Sequence, residues 1–127
     1  MSKKILVVDD EVGFTRLLKM NLEKSGDYEV MVENNSRSAV QVATEFKPDV
    51  IVLDVVMPGM DGGDVSAALR RDAYLSQIPI IMLTALVSND EVGSESVVQA
   101  GDKIMLGKPV DLDRLIRCIE EMTGATA

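Results

Sequence analysis

The amino-acid sequence predicts an α/β fold: a single doubly wound domain in which an open parallel sheet is covered by helices on both faces. Three observations predict it. Five short runs rich in β-branched residues recur along the chain, each too short for a helix and nearly continuous in hydrophobicity, as expected of strands buried on both sides. Between them lie stretches with helical periodicity. The two kinds of segment alternate without a linker, and alternating βαβ units with right-handed crossovers build a parallel sheet. With 127 residues, 46% of them hydrophobic, the chain has the length of one domain and can bury a core without disulfide or metal staples.

Taken in order, Ile5–Val8 is the first strand, followed by a helix carrying Phe14, Leu17, Leu18 and Leu22 and stopped at Gly26. Tyr28–Val32 is the second strand, and the helix after it shows Ala39, Val42, Ala43 and Phe46 before Pro48 ends it. Val50–Leu53 is the third strand, and its helix carries Val65, Ala68 and Leu69, with Asp61 as a candidate cap. Ile80–Leu83 is the fourth strand. The fourth helix is expected to start at Ser88, where Ser88-Asn89-Asp90-Glu91 fits a capping box, although its apolar pattern of Val92, Val97 and Val98 is weak. Ile104–Leu106 is the fifth strand. Asp111 can cap the fifth helix, in which Leu112, Leu115, Ile116 and Ile119 fall at i, i+3, i+4, i+7 with Arg114 and Arg117 outside. The domain is expected to span residues 1–124, with 125–127 as a frayed end or the start of a linker.

Composition removes several function classes. Lys and Arg total 13 and Asp and Glu 21, a net charge of −8, the wrong sign for coating phosphate backbones or anionic lipid, so no direct nucleic-acid or membrane binding is expected. The longest β-branched runs are far shorter than the ~20 apolar residues that span a bilayer. Cys118 is the single cysteine and there is no histidine, which leaves no Cys/His zinc set, no Cys-His nucleophile pair and no Ser-His-Asp triad. A reducing cytoplasm suits this chain, and any histidine chemistry must come from a partner.

In open α/β sheets, functional groups gather where the strand carboxyl ends meet a topological switch point. The residues just beyond the predicted strands are Asp9 and Asp10 after the first, Asp54 after the third, Thr84 after the fourth and Lys108 shortly after the fifth. Singly, each is an ordinary cap or loop residue. Together on one edge, three carboxylates repel and need a cation beside them, with Lys108 and a divalent metal as the available candidates. The loop Met57-Pro58-Gly59-Met60-Asp61-Gly62-Gly63 combines a rigid φ at Pro58 with permissive glycines, as a chain passing close to an ion requires.

Val7-Val8-Asp9-Asp10-Glu11, Val52-Leu53-Asp54-Val55-Val56-Met57-Pro58-Gly59-Met60-Asp61-Gly62, Leu83-Thr84-Ala85 and Lys108-Pro109, in this order and spacing, resemble the receiver domain of two-component response regulators. The resemblance covers essentially the whole chain. It implies a flavodoxin-like (βα)5 arrangement with strand order 2-1-3-4-5 and a phosphoacceptor switch that takes a phosphoryl group from a sensor histidine kinase or a histidine phosphotransfer protein. By matching position, Asp54 is the expected phosphoacceptor. Asp9, Asp10, Asp54 and the backbone carbonyl of Val56 are expected to place Mg2+, or Mn2+ in its stead, with Asp9 acting through water. Thr84 and Lys108 are expected to stabilise the phosphoryl oxygens, while Pro58, Gly59 and Gly62 shape the loop and Pro109 holds a cis peptide. Such a domain promotes its own phosphorylation and dephosphorylation and has no separate substrate. Its output is binding to a protein target, or a homodimer, through the surface of the fourth helix, fifth strand and fifth helix.

Competing readings of the motifs are weaker. An aspartyl-nucleophile phosphatase needs an acid two residues past the nucleophile, where this chain has Val56. An FMN-binding protein needs a phosphate-cradling loop after the first strand, where Asp9-Asp10-Glu11 would repel phosphate. A phosphate-independent adaptor of the same fold has no use for Asp54, Thr84 and Lys108 together.

The sequence departs from the family pattern at three places. Met105 replaces the usual aromatic residue three places before the lysine, so the switch pair Thr84 and Met105 lacks a rotating ring, and a weaker or differently routed readout is expected. Val56 and Leu86 are apolar at two positions where many relatives carry groups that orient a hydrolytic water. A long-lived acyl phosphate follows. Val56→Asn or Leu86→Glu is therefore expected to dephosphorylate faster than the parent in a phosphoryl-decay assay, and equal rates would refute this tuning role.

Overall fold

Successive residues of a strand face opposite sides of its sheet, and a strand that is apolar at every position needs cover on both sides. This sequence meets that demand twice over. In the computed structural model, which describes residues 3–26, 28–55, 57, 61–84, 97–100, 103–107 and 110–124, residues 97–100 and 103–105 are described by their backbone. The strands are β1 (Lys3–Val8), β2 (Tyr28–Glu33), β3 (Val50–Asp54), β4 (Ile80–Thr84), β5 (Val97–Ala100) and β6 (Lys103–Gly107). The helices are α1 (Val12–Ser25), α2 (Ala39–Phe46), α3 (Gly62–Arg70) and α4 (Leu112–Thr123). The sheet order is β2-β1-β3-β4-β6-β5. Its first five strands are parallel and carry the order expected of the five predicted strands, 2-1-3-4-5.

Alternation divides the core cleanly. Leu6, Val8, Ile51, Leu53, Ile80 and Met82 pack on one side against Ala39, Ala43 and Phe46 of α2 and Val65 and Leu69 of α3. Ile5, Val7, Val50, Val52, Ile81, Leu83 and Leu106 pack on the other side against Leu18 and Leu22 of α1 and Leu115, Cys118 and Ile119 of α4. Each fully buried Leu or Ile contributes about 1.5–3 kcal/mol relative to exposure.

The predicted punctuation holds in the described residues. α1 stops at Gly26, and α2 ends at Lys47, whose φ of 55° is left-handed, just before Pro48. Asp61 and Asp64 form a capping box on α3, and the Asp111 carboxylate accepts the Arg114 N–H at the start of α4. Two expectations need correction. Leu17 does not join the core; it is 57% exposed and lines a shallow groove with Phe14, Val110 and Leu112, while Thr15 takes its place on the buried face. Val97 and Val98 do not belong to a helix, because Val97–Ala100 is an edge strand antiparallel to β6, with Ala100 opposite Lys103. Two adjacent valines favour extended backbone. The proposed start of that helix, Ser88–Glu91, and Val92 lie outside the described residues.

The outer edge of β2 is guarded by side chains from α1. The Val30 N–H donates to the Glu23 carboxylate at 3.1 Å, and the Val30 carbonyl accepts from Lys19 Nζ at 2.8 Å. Both main-chain groups of Val30 are thereby occupied and closed to another strand.

At the amino end of the sheet, the Tyr28 hydroxyl donates to Glu120 at 2.5 Å and Lys3 Nζ lies 3.0 Å from the other Glu120 oxygen, tying β1 and β2 to the last turns of α4. The Tyr28 hydrogen bond and then Lys3 hold the Glu120 carboxyl below its ordinary value, while burial and Glu120 push Tyr28 from 10.0 up to about 12. The Tyr28 contribution is thus complete below pH 10.0 and disappears as pH climbs to about 12, whereas the Glu120 contribution is complete above 4.5 and fades in acid. Tyr28→Phe is expected to lower stability by about 1 kcal/mol near neutral pH. In thermal melts the gap to the parent should narrow between pH 10.0 and about 12, and again below 4.5.

Candidate functional site

β1 and β3 are neighbours in register, with Val8 opposite Leu53, so the residues at their carboxyl ends emerge side by side. Those residues are Asp9 and Asp54. Asp9, Asp10 and Asp54 each bring a carboxylate oxygen to within 4.8 Å of the others. Asp9 and Asp54 are buried, at 1% and 5% exposure, and Asp10 is open to solvent. Like charges this close repel by on the order of 3 kcal/mol per pair at an effective dielectric near 20. A hard divalent cation removes that repulsion, and carboxylate oxygens are the donors that Mg2+ and Ca2+ prefer. The donor set fits such an ion.

Local structure holds Asp9 and Asp54. The Asp9 carboxylate accepts the Glu11 N–H at 2.9 Å, and the Asp9 N–H donates to the Glu33 carbonyl at 3.2 Å. The Asp9 carbonyl accepts from Asn34 Nδ2 at 2.7 Å, and the same nitrogen reaches the buried Thr15 hydroxyl at 3.0 Å. Asp54 ends β3 opposite Leu83, and Thr84, the next residue of β4, is 1% exposed and pairs with Gly107. Partial positive charge at the start of α1, directly after Asp9-Asp10-Glu11, adds modestly to the electrostatic balance.

The structure therefore brings Asp9, Asp10 and Asp54 together and sets Thr84 on the adjoining strand end. Met105 lies on β6 opposite Met82 and Val98. Val56, Pro58, Gly59, Leu86, Lys108 and Pro109 lie outside the described residues. Asp61 caps α3 and is not part of the cluster. Sequence reading missed Asn34 and Thr15. Asn34 follows the second strand, so the rule that picked out the other strand ends points to it as well; Thr15 gave no signal beyond its place in α1.

Gly62 has a geometric reason to be glycine. A Cβ there would stand 2.5 Å from the Asp54 carbonyl oxygen and 2.7 Å from Val55 Cα, and the Gly62 N–H already donates to the Val55 carbonyl at 2.7 Å. The start of α3 is pressed against the strand end that carries Asp54.

The response regulator receiver domain family matches residues 5–120. This chain belongs to that family. Receivers are the phosphoacceptor domains of two-component response regulators, and as a family they interact with sensor kinases and bind Mg2+ in an acidic pocket. This receiver is 48% identical over 85 residues to the alkaline phosphatase synthesis transcriptional regulatory protein PhoP of Bacillus subtilis, an alignment covering 67% of this chain and 34% of that one. The chain thus spans about a third of that longer regulator. It is 31% identical over 124 residues to the polar-differentiation response regulator DivK of Brucella anthropi, with 98% of each chain covered. Among solved structures, the receiver domain of the sensor histidine kinase PA1611 of Pseudomonas aeruginosa superposes with a TM-score of 0.79 at 25% identity, covering 98% of this chain and 99% of that one. That structure holds a magnesium ion in its active site cleft.

Gly62→Ala is expected to cost about 1–3 kcal/mol, because the methyl group meets main chain that cannot turn aside. It should also weaken Mg2+ binding several-fold by shifting Asp54. Urea denaturation and Mg2+ titration read the two effects separately.

Proposed function

We propose that this receiver is a switch phosphorylated on Asp54 in a Mg2+-dependent reaction by the phosphohistidine of a partner. The observation that carries the reading is the convergence of the Asp9, Asp10 and Asp54 oxygens at the ends of adjacent parallel strands. Asp54 supplies the attacking oxygen. As its bond to phosphorus forms, the phosphorus–nitrogen bond of the donor breaks, and the imidazole keeps the electron pair and takes up a proton. These 127 residues include no histidine, so the phosphohistidine is supplied from outside them, by a sensor histidine kinase or a histidine phosphotransfer protein. Bound by Asp9, Asp10, Asp54 and the Val56 carbonyl, Mg2+ would neutralise charge on the transferring oxygens. The Thr84 hydroxyl, at the end of β4 beside β3, and the Lys108 ammonium would serve the same charge. No further acid or base is required, because phosphoryl transfer depends chiefly on positioning and charge compensation.

The consequence of phosphorylation is a population shift between two arrangements of the Thr84 and Met105 region, read by a protein target or a second copy on the face that includes β6 and α4. Residues 1–124 form this unit, and it works in the cytoplasm. Among the described residues no helix is long and apolar enough to cross a membrane.

Intact mass after incubation with phosphoramidate, with and without Mg2+, tests the reading. The parent is expected to gain one phosphoryl group only when Mg2+ is present, and Asp54→Ala none. A folded parent that gains none would instead favour a phosphate-independent adaptor.

A further inference from the structure

Asn34 stands on no strand or helix, yet its side chain is held at two points, and both belong to the acidic end of the site. Its Nδ2 donates to the Asp9 carbonyl at 2.7 Å and to Thr15 Oγ1 at 3.0 Å. The Thr15 hydroxyl spends its own proton on the Val12 carbonyl at 3.0 Å, so toward Asn34 it can only accept. Both partners of Nδ2 are therefore acceptors, which fixes the amide with its NH2 inward. The Asp9 carbonyl belongs to the peptide joining Asp9 to Asp10. With the Asp9 N–H on Glu33 and the Asp9 carboxylate on the Glu11 N–H, Asn34 adds a restraint on the carbonyl of that peptide.

We propose that Asn34, backed by Thr15, is a positioning residue that sets the Asp9–Asp10 peptide and so tunes the acidic cluster for Mg2+ over larger cations. The inference rests on the reading of that cluster as the Mg2+ site of the phosphoacceptor. Asp10 is exposed and follows the clamped peptide directly, so rotation of the peptide swings its carboxylate away from Asp54. Mg2+ demands near-ideal octahedral geometry, whereas Ca2+ tolerates irregular and larger coordination. Loosening the peptide must cost Mg2+ more than Ca2+. Groups that orient metal ligands typically contribute 10–100-fold in affinity.

The test is calorimetric titration of the phosphate-free protein with Mg2+ alone and Ca2+ alone, on the parent, Asn34→Ala, Thr15→Val and Thr15→Ser, each checked for a parental circular dichroism spectrum. Asn34→Ala is expected to bind Mg2+ about tenfold more weakly with Ca2+ affinity nearly unchanged. Thr15→Val should follow it part of the way, and Thr15→Ser, which keeps the hydroxyl, should return to parental values. Parental Mg2+ affinity in Asn34→Ala overturns the inference and leaves the phosphoacceptor reading standing. So does an equal loss for both cations, or equal losses in Thr15→Val and Thr15→Ser, which mark a packing role. A parent that binds no Mg2+ overturns the reading and the inference together.

Discussion

Everything at the functional edge depends on the pairing of β1 with β3. These strands are separated in sequence by a helix, a strand and another helix, yet parallel pairing sets Val8 beside Leu53 and so delivers Asp9 and Asp54 to one point. The repulsion that follows is tolerated because it is concentrated where the sheet ends and the core below it is apolar on both faces. The buried strands supply the cohesion, and the carboxylates spend a small part of it on a site poised for a cation.

The elements around the cluster act on it through backbone. α3 begins so close to β3 that only a hydrogen fits at Gly62, and the end of β2 reaches Asp9 through main chain at Glu33 and through the amide of Asn34. Two separate segments thus converge on two strand ends, and neither needs to touch an ion to influence its geometry. Such indirect support gives rigid carboxylates without adding charge to a site already crowded with it.

What was legible in the sequence follows from which forces are local. Asp9, Asp10, Asp54 and Thr84 were readable because β-branched runs mark strands and the next residue falls at their carboxyl ends. The order of the strands was not readable from periodicity; it came from resemblance. Leu17 misled because several apolar residues on α1 leave more than one face eligible, and the choice between Leu17 and Thr15 depends on how the helix sits on the sheet. Val97 and Val98 misled because a capping box upstream argued for helix, whereas their own β-branched side chains suited the strand that pairs with β6. Asn34 was signalled only by its place just after β2, and its role was not legible, since its partners Asp9 and Thr15 meet it only after β1 and β2 pair.

The cluster of Tyr28, Lys3 and Glu120 lies at the opposite end of the sheet from the aspartates. The polar tie between the sheet and α4 and the acidic cluster are therefore seated at different poles of one molecule. The Tyr28–Glu120–Lys3 tie can thus change by descent without replacing any carboxylate of the acidic cluster.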